Sequence, residues 1–257
     1  MSAELTAGSI PPIALRPRTP APIVAAPRRA VLALIGNHLR GPLNRLIAAS
    51  SIIPNDPVLD VRLFPWTQLF RDRWEEIRAE AVEVALCGHA SPSDGGSAPD
   101  QHAMPQTTDS PSLGHSDHVY RVDENAARCP VTSGLARQVP GLSSAFFSLL
   151  APGTHVPAHR GVSKGLVTCH LGLGVPRDGD ARMRVGRRVV RWAEGETLVF
   201  DDTFEHEVWN DTDEICLVLL LEFDRPLRNP GKWIANLVRQ TARRAAFAQE
   251  RRRNLTA

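Results

Sequence analysis

Apolar residues recur at steps of three and four along two stretches in the first third of the chain, and this spacing predicts amphipathic helices. The first stretch contains Leu32, Ile35, Leu39, Leu43, Leu46 and Ile47. The second runs from Leu63 to Leu86; Pro65 suits its first turn, and one face is lined by Leu69, Trp74, Ile77, Val82 and Leu86. We assign residues 31–87 to an N-terminal helical region that follows a mobile Pro- and Ala-rich arm over residues 1–30.

From Ser144 to Phe223 the pattern changes to short β-rich runs separated by turn signals such as PG, VPRDG, AEGE and NDTDE. The runs are AFFSLL, LVTCHLGL, ARMRVG, RRVVRW, TLVFDD, HEVWN and ICLVLLLEF. Short strands with regular turn signals are typical of a β-sandwich or barrel. Several runs are apolar on both faces, which indicates that helices cover one side of a sheet.

A low-complexity insert over residues 88–118 separates the helical region from the β-rich core. It has no aromatic residue and very few aliphatic ones, so it cannot bury enough apolar surface to offset the entropy of ordering it. We predict a disordered insert whose histidines are exposed and do not form a metal site.

Composition places the protein among ordinary globular chains, with 42% hydrophobic residues and a net charge of +2. Such a small net charge gives no field to attract polyanions. The segment 229–257 has a helical pattern and many arginines, and we predict a solvated basic C-terminal helix. It carries no nucleic-acid-binding motif, so we expect no nucleic-acid partner.

Four cysteines without a C-x-x-C pair favour a reducing compartment. The N-terminus does not have the basic start and apolar core of a signal peptide. The longest apolar run is interrupted by His38, Arg40 and Arg45 and cannot cross a bilayer unaided. We therefore expect a cytoplasmic protein without a transmembrane segment.

Three histidines stand beside β-rich runs and are the candidates for chemistry. His159 and His206 lie on separate predicted strands, and two imidazoles on a rigid sheet suit Fe(II). His170 lies between them in the sequence and is placed to hold a co-substrate. A carboxylate ligand often comes two residues after the first histidine, but that position is Gly161. Asp202 shares a strand face with His206, so it can approach the metal directly or through water.

The stretches PGTHVPAHRG, CHLGLGVP and WAEGETLVFDDTFEHEVWNDTDE resemble the aspartyl/asparaginyl β-hydroxylase family. The resemblance implies a mainly β fold with flanking α: a double-stranded β-helix (a cupin-like jelly roll) over residues 119–228, with N-terminal helices and a C-terminal helix. It also implies an Fe(II)- and 2-oxoglutarate-dependent dioxygenase. His159 and His206 are the implied iron ligands, without a ligating carboxylate, and Ser148 and His170 are implied to bind 2-oxoglutarate.

The chain departs from the family at two positions where an arginine usually binds 2-oxoglutarate; Thr168 and Cys216 stand there instead. An arginine–carboxylate pair is bidentate, and each charge-assisted hydrogen bond is worth about 1.5–3 kcal/mol. Its loss should weaken co-substrate binding about ten- to a hundredfold. Arg160, Lys164, Arg182 and Arg184 are other cations near the motifs.

Two hypotheses about function follow. In the first, the protein is an active hydroxylase that uses O2 and 2-oxoglutarate and releases succinate and CO2. Its substrate would be an Asp or Asn residue of a peptide or protein, an amino acid, or a lipid acyl chain. In the second, it is a diverged, non-catalytic jelly roll that binds a metal or a ligand. A third possibility, recruitment as an interaction module, fits poorly with the intact FDDTFEHEVWN string.

Overall fold

The computed structural model of the protein describes residues 37–89, 117–123, 125–161 and 163–240. Its helices are α1 (Asn37–Ala49), α2 (Thr67–Arg71), α3 (Trp74–His89), α4 (Pro130–Ala136) and α5 (231–240), with a 3-10 turn at Val61–Leu63. Its strands are β1 (Val58–Leu59), β2 (Asp117–Arg121), β3 (Leu142–Leu150), β4 (His155–His159), β5 (Leu166–Gly174), β6 (Asp180–Val185), β7 (Arg188–Arg191), β8 (Thr197–Phe200), β9 (His206–Asp211) and β10 (Cys216–Asp224).

The strands form two antiparallel sheets that face each other. One is a six-stranded sheet in the order β1-β8-β5-β10-β3-β2, and the other is a four-stranded sheet in the order β4-β9-β6-β7. Consecutive strands along the chain alternate between the sheets several times, which is the arrangement of a jelly roll. The predicted double-stranded β-helix with N-terminal helices is therefore confirmed.

The six-stranded sheet is covered on both faces, which explains why its central strands are apolar at almost every position. Its outer face packs against α2, α3 and α4 through a core that includes Phe70, Ile77, Phe147, Leu219 and Phe223. Strand β10 is buried at nearly every residue because its other face points into the barrel. The apolar run ICLVLLLEF thus reflects two cores on either side of one strand.

The four-stranded sheet has one face in the barrel and one in solvent, so its strands alternate. In β6, Ala181, Met183 and Val185 are buried in the barrel core. Arg182 and Arg184 alternate with them and lie on the outer face. This register fixes which side chains can reach the inside of the barrel.

The helical region is less regular than the sequence pattern predicts. The single helical region predicted from Leu63 to Leu86 is divided into the 3-10 turn, α2 and α3. The prediction that Leu69 lines the packed face is wrong, because Leu69 is 39% exposed and Phe70 beside it is buried. Phe70 stands seven residues before the buried Ile77, so both lie on the same side of the helical region.

The boundaries of the predicted insert also need correction. Helix α3 continues to His89, and β2 begins at Asp117, so both ends of the 88–118 insert belong to regular elements. Strand β2 pairs with β3 at the edge of the large sheet. This pairing is made by backbone hydrogen bonds, which cannot be predicted from the side-chain composition of the segment. The rest of the insert, the 1–30 arm and the C-terminal helix beyond residue 240 lie outside the described residues.

The turn between β7 and β8 folds tightly over β5 at Gly172. The amide of Gly172 donates to the carbonyl of Glu196 at 3.1 Å, and the amide of Gly195 donates to the carbonyl of Gly172 at 2.9 Å. A Cβ atom at position 172 would lie 2.3 Å from the carbonyl oxygen of Ala193, which is backbone and cannot rotate away. Glycine at 172 is therefore required for this close approach.

We expect Gly172→Ala to lower the free energy of unfolding by about 1–3 kcal/mol, because the added methyl group must displace the β7–β8 turn. Urea denaturation of the purified variant measures this loss. Gly134→Ala in α4 is a suitable control, since a Cβ there meets nothing within 4 Å. That substitution should stabilise the protein by about 0.5–1 kcal/mol. Equal effects of the two substitutions would contradict the prediction.

Candidate metal centre

The barrel brings His159 and His206 together at the end of the β4–β9 pair. They are direct cross-strand partners, and their ring centroids are 4.0 Å apart with the planes inclined at 56°. Histidine Nε2 atoms bind first-row metals at about 2.0–2.1 Å, so rings this close can share one ion.

A β-bulge places His159 on the inner face. Val156 pairs with Val208 and is buried, and regular alternation would turn the third residue after it outward. The register shifts between Val156 and His159, so three steps along β4 match two steps along β9. The extra residue returns His159 to the side on which His206 lies.

Backbone carbonyl groups fix the tautomers of both rings. Nδ1 of His159 lies 2.8 Å from the carbonyl oxygen of Pro157, and Nδ1 of His206 lies 3.0 Å from that of Phe204. A carbonyl oxygen only accepts, so each Nδ1 carries the hydrogen and each neutral ring keeps its lone pair on Nε2. This is the form in which histidine binds metals.

Burial keeps His206 neutral. Burial, followed by the influence of the nearby His159, lowers the pKa of His206 to about 4, against the opposing effect of the carbonyls of Phe204 and Asp202. The ring is thus unprotonated at neutral pH, as metal binding requires. In the part of the chain that the structure describes, no third His, Cys, Asp or Glu joins the two histidines in a metal-binding group.

His170 lies on the inner face of β5 and is nearly completely buried. Trp192 donates from Nε1 to its Nδ1 at 3.1 Å, so the hydrogen of the neutral ring is on Nε2. Burial, followed by the influence of His206, lowers the pKa of His170 to about 3. Among the described residues Nε2 has no hydrogen-bond partner. A buried donor without an acceptor costs about 1–3 kcal/mol, and a ligand oxygen would remove that cost.

Phe200 connects the two histidine positions. Its ring is edge-on to His170 at 4.8 Å and to His206 at 5.6 Å, measured between ring centroids. The single phenyl group therefore packs against both the candidate metal site and the candidate co-substrate site.

The loop before His206 is anchored by a buried carboxylate. Asp201 is fully buried; its Oδ2 accepts from Lys164 at 2.6 Å and also from Arg225. Its Oδ1 accepts from the amide and the hydroxyl of Thr203. Arg225 extends this network to the N-terminal segment through Ser51. We call Asp201, Lys164 and Arg225 the Asp201 cluster.

Asp202 occupies the space that a carboxylate ligand would otherwise need. A Cβ atom on Gly161 would lie 2.0 Å from Oδ2 of Asp202, and the Gly161 amide donates to the Asp202 carbonyl at 2.7 Å. The position two residues after His159 is thus filled by a side chain from the β8–β9 loop. This geometry explains why the residue there is glycine, and it brings Asp202 beside the histidine pair.

The residues implied to hold 2-oxoglutarate lie on the inner face of the six-stranded sheet. Ser148 on β3 is paired with Val218 of β10, and His170 on β5 is paired with Leu220. Thr168 and Cys216 are buried on the same face, and burial raises the pKa of the Cys216 thiol to about 12, so it is uncharged. Neither position supplies a positive charge.

Other cations do not replace the missing arginines inside the barrel. Arg182 is bound to Asp180 and Asp211, and Arg184 to Glu205 and Glu207, all on the outer face of the small sheet. Within the described ranges, the buried cations are Lys164 and Arg225, and both are bound to Asp201. Arg160 is 63% exposed at the rim.

Sequence reasoning missed the roles of Trp192, Lys164 and Arg225. Trp192 packs in the core and also fixes the tautomer of His170. The ring of Trp209 lies between the ring of His155 and the guanidinium of Arg182 on the outer face. The local sequence around Lys164 and Arg225 gives no signal for their ion pairs, because their shared partner, Asp201, is distant in sequence.

The fold and the paired histidines define a double-stranded β-helix with a candidate metal centre at one end of the barrel. The sequence profile of the family described as "Aspartyl/Asparaginyl beta-hydroxylase" matches residues 71–226. The chain therefore belongs to the aspartyl/asparaginyl β-hydroxylase family.

Two curated relatives illustrate the range of the family. The chain is 36% identical over 181 residues to "Ornithine lipid ester-linked acyl 2-hydroxylase" of Rhizobium tropici, covering 70% of this chain and 64% of that protein. It is 34% identical over 116 residues to "Aspartyl/asparaginyl beta-hydroxylase" of Homo sapiens, covering 43% of this chain and 15% of that protein. The chain thus spans less than two thirds of the length of either relative.

Similarity to solved structures is weak. The Cupin_2 domain of an XRE family transcriptional regulator from Enterobacter cloacae covers 42% of this chain at 13% identity and a TM-score of 0.31. A similarity at this level carries no functional argument. Separately, among the described helices none is both long enough and apolar enough to span a membrane.

We expect Asp201→Asn to destabilise the protein by about 3–5 kcal/mol, because it leaves two buried cations without their shared carboxylate. Urea denaturation measures the loss. Glu76→Gln is the control: Glu76 pairs with Arg73 on the surface, where solvent screens the pair, so breaking it should have little effect on stability. A cost for Asp201→Asn as small as that of the control would show that the cluster does not anchor the loop.

The metal-free protein should lose stability as the pH falls below about 6.5, the ordinary pKa of histidine. His170 is neutral in the fold down to about pH 3, whereas in the unfolded chain it takes up a proton near pH 6.5. This histidine therefore lowers the free energy of unfolding by about 1.4 kcal/mol for each pH unit below 6.5.

His170→Asn removes this contribution and tests it. Between pH 7 and pH 5 the variant should lose about 2 kcal/mol less unfolding free energy than the unchanged protein. Between pH 7 and pH 8 the two proteins should change in parallel. Identical losses on acidification would mean that His170 is not held neutral by the fold.

Proposed function

We propose that the protein is an Fe(II)- and 2-oxoglutarate-dependent hydroxylase of the aspartyl/asparaginyl β-hydroxylase type. The observation that carries this proposal is the convergence of His159 and His206, with ring centroids 4.0 Å apart and both Nε2 lone pairs available. Membership of the family supports it. In the overall reaction a substrate C–H group becomes C–OH, O2 is consumed, and 2-oxoglutarate gives succinate and CO2.

The residues present fit a divalent iron ion. His159 and His206 would hold it through Nε2, and Asp202, beside Gly161, would accept a hydrogen bond from a water molecule on the ion. When bound, Fe(II) supplies the redox chemistry that activates O2. The two histidines contribute a fixed geometry, and the bulge in β4 and the Asp201 cluster hold that geometry in place.

The residues on the inner face of the large sheet also fit a co-substrate with two carboxylates. The buried Nε2–H of His170 would donate to a carboxylate oxygen of 2-oxoglutarate, and the hydroxyl of Ser148, on the same face, would donate to the other carboxylate. Trp192 keeps His170 in the tautomer that can donate. The ring of Phe200 packs against His170 and His206 and would give the bound co-substrate an apolar neighbour.

The names of the two relatives support a proposal for the substrate class. One relative is named for an Asp or Asn side chain and the other for an ester-linked acyl chain of a lipid. Both names describe hydroxylation of a carbon near a carboxyl or carboxyl-derived group. We propose a substrate of this kind, either an aspartyl or asparaginyl residue or an acyl chain carrying a polar head group.

A non-catalytic homologue remains the second candidate, favoured by the uncharged Thr168 and Cys216. Because the described inner face carries no arginine or lysine other than those bound to Asp201, a second carboxylate of 2-oxoglutarate would lack an ionic partner there. This alternative predicts iron binding without formation of succinate. The first candidate predicts both.

Succinate formation in the presence of Fe(II), 2-oxoglutarate and O2 tests the proposal. Anaerobic mixing should first give the visible charge-transfer band of the ternary complex, and admission of O2 should give succinate. His159→Ala and His206→Ala should each abolish the band and lower succinate formation at least a hundredfold, since each removes half of the protein ligands.

His155→Ala is the matched control for these variants. His155 lies on the same strand but on the outer face, where it stacks on Trp209 and contacts Glu207. Its loss should leave the band and the rate nearly unchanged. Absence of both signals with Fe(II) still bound would favour the non-catalytic homologue, because the band requires 2-oxoglutarate on the iron. Failure of the protein to bind Fe(II) at all would reject the iron site.

A further inference from the structure

A cavity of about 330 Å³ opens at the rim of the barrel, and neither candidate iron ligand lines it. Its lining includes Arg160, Lys164, Arg184, Thr203, Phe204 and Glu205, and we call it the rim pocket. Arg160 directly follows His159, and Phe204 and Glu205 directly precede His206. The rim pocket therefore lies at the end of the barrel where the strand of His159 ends and the strand of His206 begins.

The rim pocket is lined by three cationic side chains and one carboxylate. Arg184 is held by Glu207 at 2.8 Å and by Glu205 at 3.2 Å, and Lys164 is held by Asp201 at 2.6 Å. These acids fix the positions of the two cations and partly neutralise them. The rim pocket is thus an arranged set of donors rather than a strongly positive surface.

Arg160 is the cation that is best placed to take a ligand. Its guanidinium lies 3.5 Å from Glu205, which is long for an ion pair, and the side chain is 63% exposed. A guanidinium has five N–H donors in a planar fork that matches a carboxylate or a phosphate. Lys164 adds an ammonium group with three donors, of which one is directed to Asp201.

Phe204 gives the rim pocket an apolar side that leads toward the barrel. Its ring lies 4.5 Å from the ammonium nitrogen of Lys164, and it packs against the apolar core between the two sheets. An anionic group bound by Arg160 and Lys164 would therefore have an apolar surface beside it. This combination fits a molecule with a charged head and an apolar or extended remainder.

We propose that the rim pocket binds the anionic head group, a carboxylate or a phosphate, of the substrate whose remainder enters the barrel at His159 and His206. The identification of the ligand as a substrate rests on the proposed function. Binding of an anion in the rim pocket does not depend on iron or 2-oxoglutarate. It assigns to Arg160 the main contact, to Lys164 a supporting one, and to Glu205 the role of a competing acid.

Isothermal titration of the metal-free, full-length protein with hexyl phosphate tests the proposal. The unchanged protein should bind hexyl phosphate at least tenfold more tightly than hexylammonium, which carries the opposite charge. It should also bind hexyl phosphate at least tenfold more tightly than inorganic phosphate, because Phe204 and the barrel mouth accept the alkyl chain. Equal affinity for the two phosphates would assign the rim pocket to a free anion and overturn its assignment to a substrate.

Two substitutions should change the affinity in opposite directions. Arg160→Gln should weaken hexyl phosphate binding about tenfold or more, since it removes a charge-assisted contact. Glu205→Gln should strengthen binding severalfold, since Arg160 and Arg184 then lose a competing carboxylate. Weaker binding by Glu205→Gln, or unchanged binding by Arg160→Gln, would overturn the proposal.

Arg191→Gln is the matched control for Arg160→Gln. Arg191 is also on the small sheet, is 62% exposed and is paired with an acid, Asp180. Its loss should leave hexyl phosphate binding unchanged, and both arginine variants should keep the melting temperature of the unchanged protein. Because the titration needs no turnover, a failure here is distinct from a failure to form succinate.

Discussion

The burial of the Asp201 carboxylate between Lys164 and Arg225 is the interaction on which the functional end of the barrel depends. It connects the loop after β4, the loop before β9, the end of β10 and, through Ser51, the segment after α1. A buried ion pair is a poor source of net stability, but it is highly directional. Its value here is that it fixes where the chain enters β9, and His206 is the first residue of that strand.

The sequence predicted the barrel and the identities of the histidines because both depend on local patterns. Short apolar runs with turn signals predict strands, and the motif around His206 is specific. The face on which His159 lies could not be predicted from alternation, because a bulge between Val156 and His159 reverses the count. The Asp201 cluster could not be predicted either, since its members come from three separate segments. Leu69 was misassigned because helical spacing from Ile77 allows either Leu69 or Phe70 on the packed face, and the fold buries Phe70.

The inner face of the large sheet lacks the two positive charges that the family resemblance implies. Thr168 and Cys216 are buried and uncharged, and the buried cations among the described residues, Lys164 and Arg225, are both bound to Asp201. Binding of a dicarboxylate here would depend on hydrogen bonds from His170 and Ser148, with less help from charge. The cations Arg160, Lys164 and Arg184 lie instead around the rim pocket, outside the inner face of this sheet.

The contact between Gly161 and Asp202 limits how this site can change during evolution. A single substitution of Gly161 by an acidic residue would restore the common arrangement of two histidines and one carboxylate only if the Asp202 side chain moved, because a Cβ atom there would lie 2.0 Å from its carboxylate. A smaller residue at position 202 would remove this conflict. The departure from the usual ligand set is therefore maintained by a steric contact between two loops.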